Sequence, residues 1–331
     1  MKVLLVSSSF FGYEERLMNA FKNNNCEVAW LDDRLGNSTF FKAVTRLNLL
    51  KYFSFLINHK ASEIIRQAIL DRPQCIVFVD PETLDSAAYK RIKQELPGTD
   101  IVIYRWDSLQ QKPLPQGAFD VAKAVYSFDP TDCQENPAVK HLPLFHNYGE
   151  FSNLAKKTET KNDLCFVGTT HSRRVKILAK IGNECIRRKH TFFFFLKAQS
   201  YFHLIYYSIL AWWYGYRGKI SVKGLAYDEY LKILATSNTV VDVEYKKQTG
   251  LTMRTFEVIF SGTPIVTTNS YISNYDFYDQ NSILIVNEQS LNLEGIDKLS
   301  PLNTEQYFEK YHIDTWANIL LGRVELPEYF T

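Results

Sequence analysis

Net charge is the first thing missing. Lysine and arginine number 38 and aspartate and glutamate 36, so the 331-residue chain carries a formal charge of only +2. A nucleic-acid footprint needs a basic excess or stripe, and none is present, so no nucleic-acid partner is expected. Cysteine is sparse and scattered: Cys26, Cys75, Cys133, Cys165 and Cys185 form no CxxC pair. Their odd count points to a reducing cytoplasm and excludes a disulfide framework or zinc site. The seven histidines show no HxxH or HxH spacing and no DxD tripeptide occurs. The expectation is therefore no structural metal, no obligatory catalytic metal and no cofactor. The glycine fingerprint of a dinucleotide site, GxGxxG behind the first strand, is also missing, because residues 7–12 read SSSFFG; this argues against an oxidoreductase. The apolar run Val3–Val6 is too short for a signal peptide and reads as a buried strand.

What is present is a globular α/β pattern. Hydrophobic residues make up 46% and aromatics 15%, with 23 Phe and 20 Tyr. Such aromatics fit sugar-stacking sites, and they fit thick cores equally well. Apolar runs at Val3–Val6, Cys26–Leu31, Cys75–Val79, Ile101–Tyr104 and Val121–Ser127 alternate with helical patterns at Glu14–Asn23, Ala61–Leu70 and Ser86–Glu95. Buried β-branched runs separated by helices signal a parallel sheet covered on both faces. After Leu142–Phe145 and a polar linker, Ala155–Asp163, the pattern restarts. Strands are expected at Leu164–Val167, Thr191–Leu196, Lys219–Lys223, Thr239–Val243, Pro264–Thr268 and Ile283–Val286. Helices are expected at Arg174–Lys180 and Tyr227–Ala235. The reading is two tandem doubly wound, Rossmann-like domains, residues 1–150 and 151–331, facing across a cleft. A helix around Trp316–Leu321 has the option of packing back on the first domain. Sheets of this kind take ligands beyond the carboxyl ends of their strands.

The most informative segment is Gln248–Asn269, QTGLTMRTFEVIFSGTPIVTTN. Gly250 and Leu251 lead through Thr252 into a helix-like stretch, Leu251–Phe260. A glycine loop at a helix N-terminus offers free N–H groups and a positive dipole end to a phosphate. Arg254 in the first turn can fork onto phosphate oxygens. Glu257, three residues on, lies on the same face and can accept from ribose hydroxyls.

This segment resembles the nucleotide-sugar signature of GT-B glycosyltransferases. The matching pieces are Gly250-Leu251, Arg254, Phe256-Glu257 and Gly262-Thr263-Pro264-Ile265-Val266 with Thr268. Val222-Lys223-Gly224-Leu225 with Tyr227–Leu231 also fits, and so does Phe166-Val167-Gly168-Thr169-Thr170-His171-Ser172-Arg173 as the first loop of the donor domain. Within that fold the chain is most similar to lipopolysaccharide or capsule biosynthesis proteins and the related spore-coat CgeB-type transferases. The resemblance covers residues 120–290 well and the first 100 only as fold. It implies a transferase moving a sugar from a nucleotide donor to a glycan or lipid-linked acceptor. Glu257 would take the ribose, and Arg254 with the Gly168–Arg173 loop (Gly168, Thr169, Thr170, His171, Arg173) the diphosphate. Retaining members often carry two glutamates eight positions apart. Here the earlier position is Thr249, so stereochemistry stays open. A nucleotide-sugar epimerase of the same fold and a non-catalytic scaffold are the alternatives.

Transfer to a hydroxyl needs its proton removed. Asp107, in Tyr104-Arg105-Trp106-Asp107-Ser108, is the first candidate base, although it could equally cap the following segment. Glu14 and Glu15 come next, although acids in a first helical turn are favoured by the dipole alone. Asp80 and Glu82 flank Pro81 after the third strand. Finally, Tyr201–Tyr214 (YFHLIYYSILAWWY) is more apolar than a loop should be and shorter than a membrane span. It reads either as a buried helix or as a peripheral contact with the inner face of a membrane, flanked by Arg187, Arg188 and Lys189 and by Arg217, Lys219 and Lys223.

Overall fold

The computed structural model describes residues 1–9, 12–34, 54–147, 160–245 and 248–330. The strands are β1 Lys2–Ser7, β2 Glu27–Asp32, β3 Cys75–Val79, β4 Asp100–Arg105, β5 Ala124–Ser127, β6 Val139–His141, β7 Asn162–Thr169, β8 Phe192–Lys197, β9 Lys219–Ser221, β10 Ser237–Asp242, β11 Ile265–Thr267 and β12 Ile283–Ile285. The helices are α1 Tyr13–Asn23, α2 Ser54–Asp71, α3 Ser86–Glu95, α4 Gln116–Val121, α5 Pro130–Glu135, α6 Ser172–Arg188, α7 Tyr201–Tyr214, α8 Tyr227–Ala235, α9 Met253–Phe260 and α10 Ile313–Leu320. Two six-stranded sheets result, ordered β2-β1-β3-β4-β5-β6 and β12-β11-β10-β7-β8-β9. Each named strand pairing is parallel.

The chain divides into two units. The first comprises 1–145, 247–250 and 309–328, and the second 146–246, 251–308 and 329–331. The expected boundary near 150 is thus close to the first crossing, at 145/146. A single-cut division into 1–150 and 151–331 is not what the fold does, because two later segments return to the first unit. The return of 309–328 has a packing reason. On α10 the Trp316 ring lies edge-on to Tyr104 at 4.7 Å and to Phe145 at 4.9 Å. Asn24, at the end of α1, donates to the Asp314 carbonyl at 2.8 Å. Trp316 is thereby buried, and an aromatic of that size contributes a large apolar area.

Burial explains the strands. All five residues of β3 are buried, and β4 is buried over its last five. That is the pattern of central parallel strands with helices on both faces. The first core gathers Leu4, Val6, Ile76, Phe78, Ile101 and Ile103 against Ile64, Tyr89 and Ile92 of α2 and α3. The second gathers Leu164, Phe166, Phe194, Leu196, Val241 and Val266 against Val175, Leu178 and Ile181 of α6. Asp85 starts α3 by accepting from the Ala88 N–H at 2.8 Å, satisfying one of the orphan donors of a helix start.

Some elements depart from expectation. Val121 ends α4, and β5 begins only at Ala124. The short α5 and β6 were not foreseen, since six and three residues are too few to show a period. The linker Ala155–Asp163 lies outside the described residues up to 159, and β7 begins at Asn162. Tyr201–Tyr214 is a helix, α7, but not a buried one. Its inner side, with Ala211, Tyr207, Leu210 and Tyr214, packs on the second core. Its outer side is open to solvent. No helix among the described residues is long and apolar enough to cross a membrane.

Candidate functional site

In both units the polar groups collect where parallel strands end. At the carboxyl end of the second sheet, β7 runs out through Gly168 and Thr169 into the loop before α6. Gly168 is glycine for want of space, since a Cβ there would meet the Phe166 ring at 2.8 Å. His171 is the N-cap of α6, and its Nδ1 accepts from the Arg174 N–H at 3.3 Å. That bond assigns the tautomer, with Nδ1 as acceptor and the proton on Nε2. Burial, then the cations Arg174 and Arg173, push the His171 pKa down to about 3, so the ring is neutral. Its Nε2–H is buried and finds no partner among the described residues, and neither does the hydroxyl of neighbouring Thr170. Two orphaned polar groups on one loop are the arrangement a ligand completes.

Three guanidiniums stand at this end of the sheet, each held by oxygen. Arg173 donates to Glu244 Oε1 and to the Glu244 carbonyl, at 2.8 and 2.9 Å, and pairs with Glu288. Arg174 donates to the carbonyls of Val243 and Thr169, at 2.9 and 3.2 Å, and to the Thr169 hydroxyl. Burial, with Arg254 next, lowers its pKa to about 10. Arg254 donates to the Val167 carbonyl, lies 3.6 Å from Asp242 and stacks over Phe166 at 5.1 Å. Asp242 is buried and also accepts from Thr252 and Thr255, at 3.0 and 2.8 Å.

These contacts locate the expected donor residues. Thr252 caps α9, and Arg254 is in its first turn. Glu257 is buried in the second turn, close enough for its charge to act on Tyr230, which bonds Arg254. Leu251 is a core residue. Two expectations change. Arg254 does not extend from the helix start as a free fork; it is inserted between Asp242, Val167 and Tyr230, and so has a structural partner set. Gly250 does not belong to the second unit. It lies against Phe128, where a Cβ would come within 2.6 Å of the ring and 2.8 Å of the carbonyl, so close approach explains the glycine. Beside it, Thr249 donates its N–H to Asp129 at 3.1 Å and shares a 2.8 Å hydroxyl bond with Thr131. Asp242, Glu244 and Glu288 were missed. The signal available was two acids closing an apolar run, VVDVE.

The first unit gathers an excess of acids. Asp80, Glu82 and Asp107 have carboxylate oxygens within 4.8 Å of one another. Lys112 stands among them, 2.5 Å from Asp107, 3.3 Å from Asp80 and paired with Glu82. Arg105, almost wholly buried, donates to the Pro81 and Lys112 carbonyls at 2.9 Å and lies 3.1 Å from Asp80. Asp80 adopts a left-handed backbone, φ 49°, and donates its N–H to the Tyr104 carbonyl at 2.8 Å. Strain of this kind survives only where neighbours over-determine it, and it concentrates at functional sites. Burial raises Asp80 to about 6 although Arg105 and Lys112 pull it down. Asp33, fully buried and accepting from the Glu82 N–H at 2.9 Å, is also raised to about 6 by burial. Asp107 is partly exposed and reaches Gln248 at 3.5 Å. Glu14 accepts from Ser9 at 2.6 Å in the first turn of α1, with Glu15 beside it. The structure thus brings Asp107 together with Asp80 and Glu82, and it leaves Glu14 outside that cluster. Lys112 was not singled out from sequence, because nothing in a local window shows that a lysine will land among three acids.

No family model matches the chain, and no curated protein matches it. Solved structures do. An alpha-glucosyltransferase bound to UDP and a mismatched 13-mer DNA superposes with TM-score 0.62 at 12% identity, covering 98% of this chain and 95% of that one. AviGT4, a glycosyltransferase of avilamycin A biosynthesis, gives 0.61 at 12%, covering 98% and 96%. The UDP-GlcNAc 2-epimerase of Methanocaldococcus jannaschii gives 0.53 at 11%, covering 97% and 100%. At such identities the likeness shows the fold: two Rossmann-like domains in the GT-B arrangement, shared by glycosyltransferases and epimerases.

Proposed function

We propose that the protein is a glycosyltransferase that takes a sugar from a nucleotide donor held at the second sheet. The observation that carries this reading is the loop before α6, where the neutral His171 Nε2–H and the Thr170 hydroxyl are buried without partners. Both are short, neutral donors beside Arg173 and Arg174, which suits the oxygens of a diphosphate or a donor sugar. Glu257, buried in α9, supplies a carboxylate for ribose hydroxyls. Gly168 and Thr169 bring the backbone of the same loop close. Arg173 and Arg254 contribute positive field from fixed positions, not as free clamps. Asp107 acts as base toward the acceptor hydroxyl, held in place by Lys112 at 2.5 Å. The Lys112 ammonium also supplies the countercharge that three carboxylates would otherwise draw from a divalent ion, which favours transfer without a metal. The acceptor proposed is a growing surface glycan, free or lipid-linked.

Incubation with UDP-, GDP-, dTDP- and CMP-sugars tests this. One nucleotide should raise the melting temperature, and its sugar donor should give free nucleotide and a glycoside or a hydrolysed sugar of unchanged C2 configuration. No shift with any nucleotide would sink the reading. A second reading, nucleotide-sugar epimerase, is favoured by the UDP-GlcNAc 2-epimerase structures that match nearly end to end. NMR of the sugar separates the two, since an epimerase returns it inverted at C2.

A further inference from the structure

The most conspicuous unused feature is the outer side of α7. Tyr201, Phe202, Ile205, Tyr206, Ile209, Trp212 and Trp213 are 54–86% exposed. At 3.6 residues per turn they fall in one arc of about 140°. No charged residue interrupts the helix. Single exposed apolar residues are ordinary on a protein surface, whereas a contiguous aromatic stripe marks an interaction face. The helix is held in place: Ser200 caps it by accepting from the His203 N–H, Gly215 ends it, and its inner side packs on the core. The stripe is therefore a fixed feature of the folded protein.

Chain direction sets its surroundings. α7 connects β8 to β9 and runs antiparallel to both, so its Trp212–Trp213 end lies toward the strand starts. There the chain presents exposed Lys189 just before β8 and exposed Arg217 and Lys219 at the start of β9. Arg187 is also exposed, although Glu184 pairs with it. Exposed Lys223 follows β9, toward the other end of the helix. Fourteen residues span roughly 21 Å, short of the ~30 Å hydrocarbon core, so the helix can lie in a bilayer interface but not cross it.

We propose that α7 is a membrane-docking helix that seats Trp212, Trp213 and Phe202 at the acyl–headgroup boundary of an anionic bilayer. Tryptophan and tyrosine partition to headgroup level, and apolar burial combined with basic neighbours is what interfacial binding requires. Cations at the tryptophan end favour anionic lipid over a second copy of this chain, which would bring the same positive charges together. The proposal stands independently of the transferase reading, because it needs no donor or acceptor.

Co-sedimentation of the full chain with vesicles of phosphatidylcholine alone or with 30% phosphatidylglycerol, at low and high salt, tests it. Binding to the anionic vesicles is expected, with partial loss at high salt as screening removes the electrostatic share. Trp212→Ser with Trp213→Ser should cut the vesicle partition at least tenfold while melting stays unchanged. Arg217→Glu with Lys219→Glu should weaken binding mainly at low salt. Quenching of wild-type tryptophan emission by brominated lipid gives a readout free of any folding defect in the variants. No binding to either vesicle, binding that survives loss of both tryptophans, or dimers in light scattering that these substitutions dissolve would each overturn the proposal.

Discussion

The carboxyl ends of the two sheets use one architecture and different charge, acidic in the first and balanced in the second. In the first unit Asp33, Asp80, Glu82 and Asp107 outnumber Arg105 and Lys112, and two of the acids are raised to about 6 by burial. In the second, Arg173, Arg174 and Arg254 meet Asp242, Glu244 and Glu288, with a neutral histidine between. A parallel sheet supplies only the place, a fan of loops and helix starts. The loops supply the sign. A carboxylate-rich end repels a diphosphate and suits proton removal from a hydroxyl. A charge-balanced end with orphaned neutral donors suits an anion better.

The comparison breaks most sharply at Asp107. Asp107→Asn should keep nucleotide affinity and lower transfer by about 10²–10⁴-fold, the usual worth of a positioned base. Transfer within twofold of wild type in steady-state assays would move the base to Glu82, Glu14 or Glu15.

Next in size is Arg254→Ala. It leaves Asp242 buried without its cation, which should cost about 3–5 kcal/mol in denaturant unfolding. An unfolding midpoint that stays put would show that Arg254 is free to serve a ligand, as its position in the motif alone suggests.

The acids of the first unit give a pH signature. Burial raises the folded pKa of Asp33 to about 6, above the ordinary 3.8. A raised carboxyl contributes stability that is full below the unfolded pKa and lost as pH rises through the folded one. Stability should therefore increase as pH falls from 7 toward 4, by about 3 kcal/mol for this group. Asp33→Asn should flatten that slope in urea titrations run across the window. An unchanged slope would mean the carboxylate is not desolvated as its burial implies.

The smallest effect expected is on binding alone. Glu257→Gln should weaken the preferred nucleoside diphosphate about tenfold in calorimetry, as for a hydrogen bond to a charged group, about 1.5 kcal/mol. Equal affinity would remove Glu257 from the ribose.

Much of the fold was legible locally. Cys75–Val79 and Ser86–Glu95 match their elements residue for residue, because a buried parallel strand is an unbroken apolar run and a helix start carries its own cap. The segment Gln248–Asn269 was legible as a helix start with Arg254 and Glu257 on it. What those side chains touch was not. Gly250 reads as a phosphate glycine and is instead crowded by Phe128. The outer side of α7 reads equally as core or surface, since composition cannot tell which side of an apolar helix finds a partner.

Two doubly wound sheets were readable along the chain, because unbroken apolar runs, the 3.6 period of helices and the breaks between them are set within a few neighbouring residues. Folding in space is what sets Lys112 among three acids, pairs Asp242 with Arg254, returns 309–328 to the first unit and leaves seven apolar side chains of α7 in water. Each of these depends on groups that the chain brings together from distant positions, where desolvation and pairing act on proximity in space and leave no local pattern in the sequence.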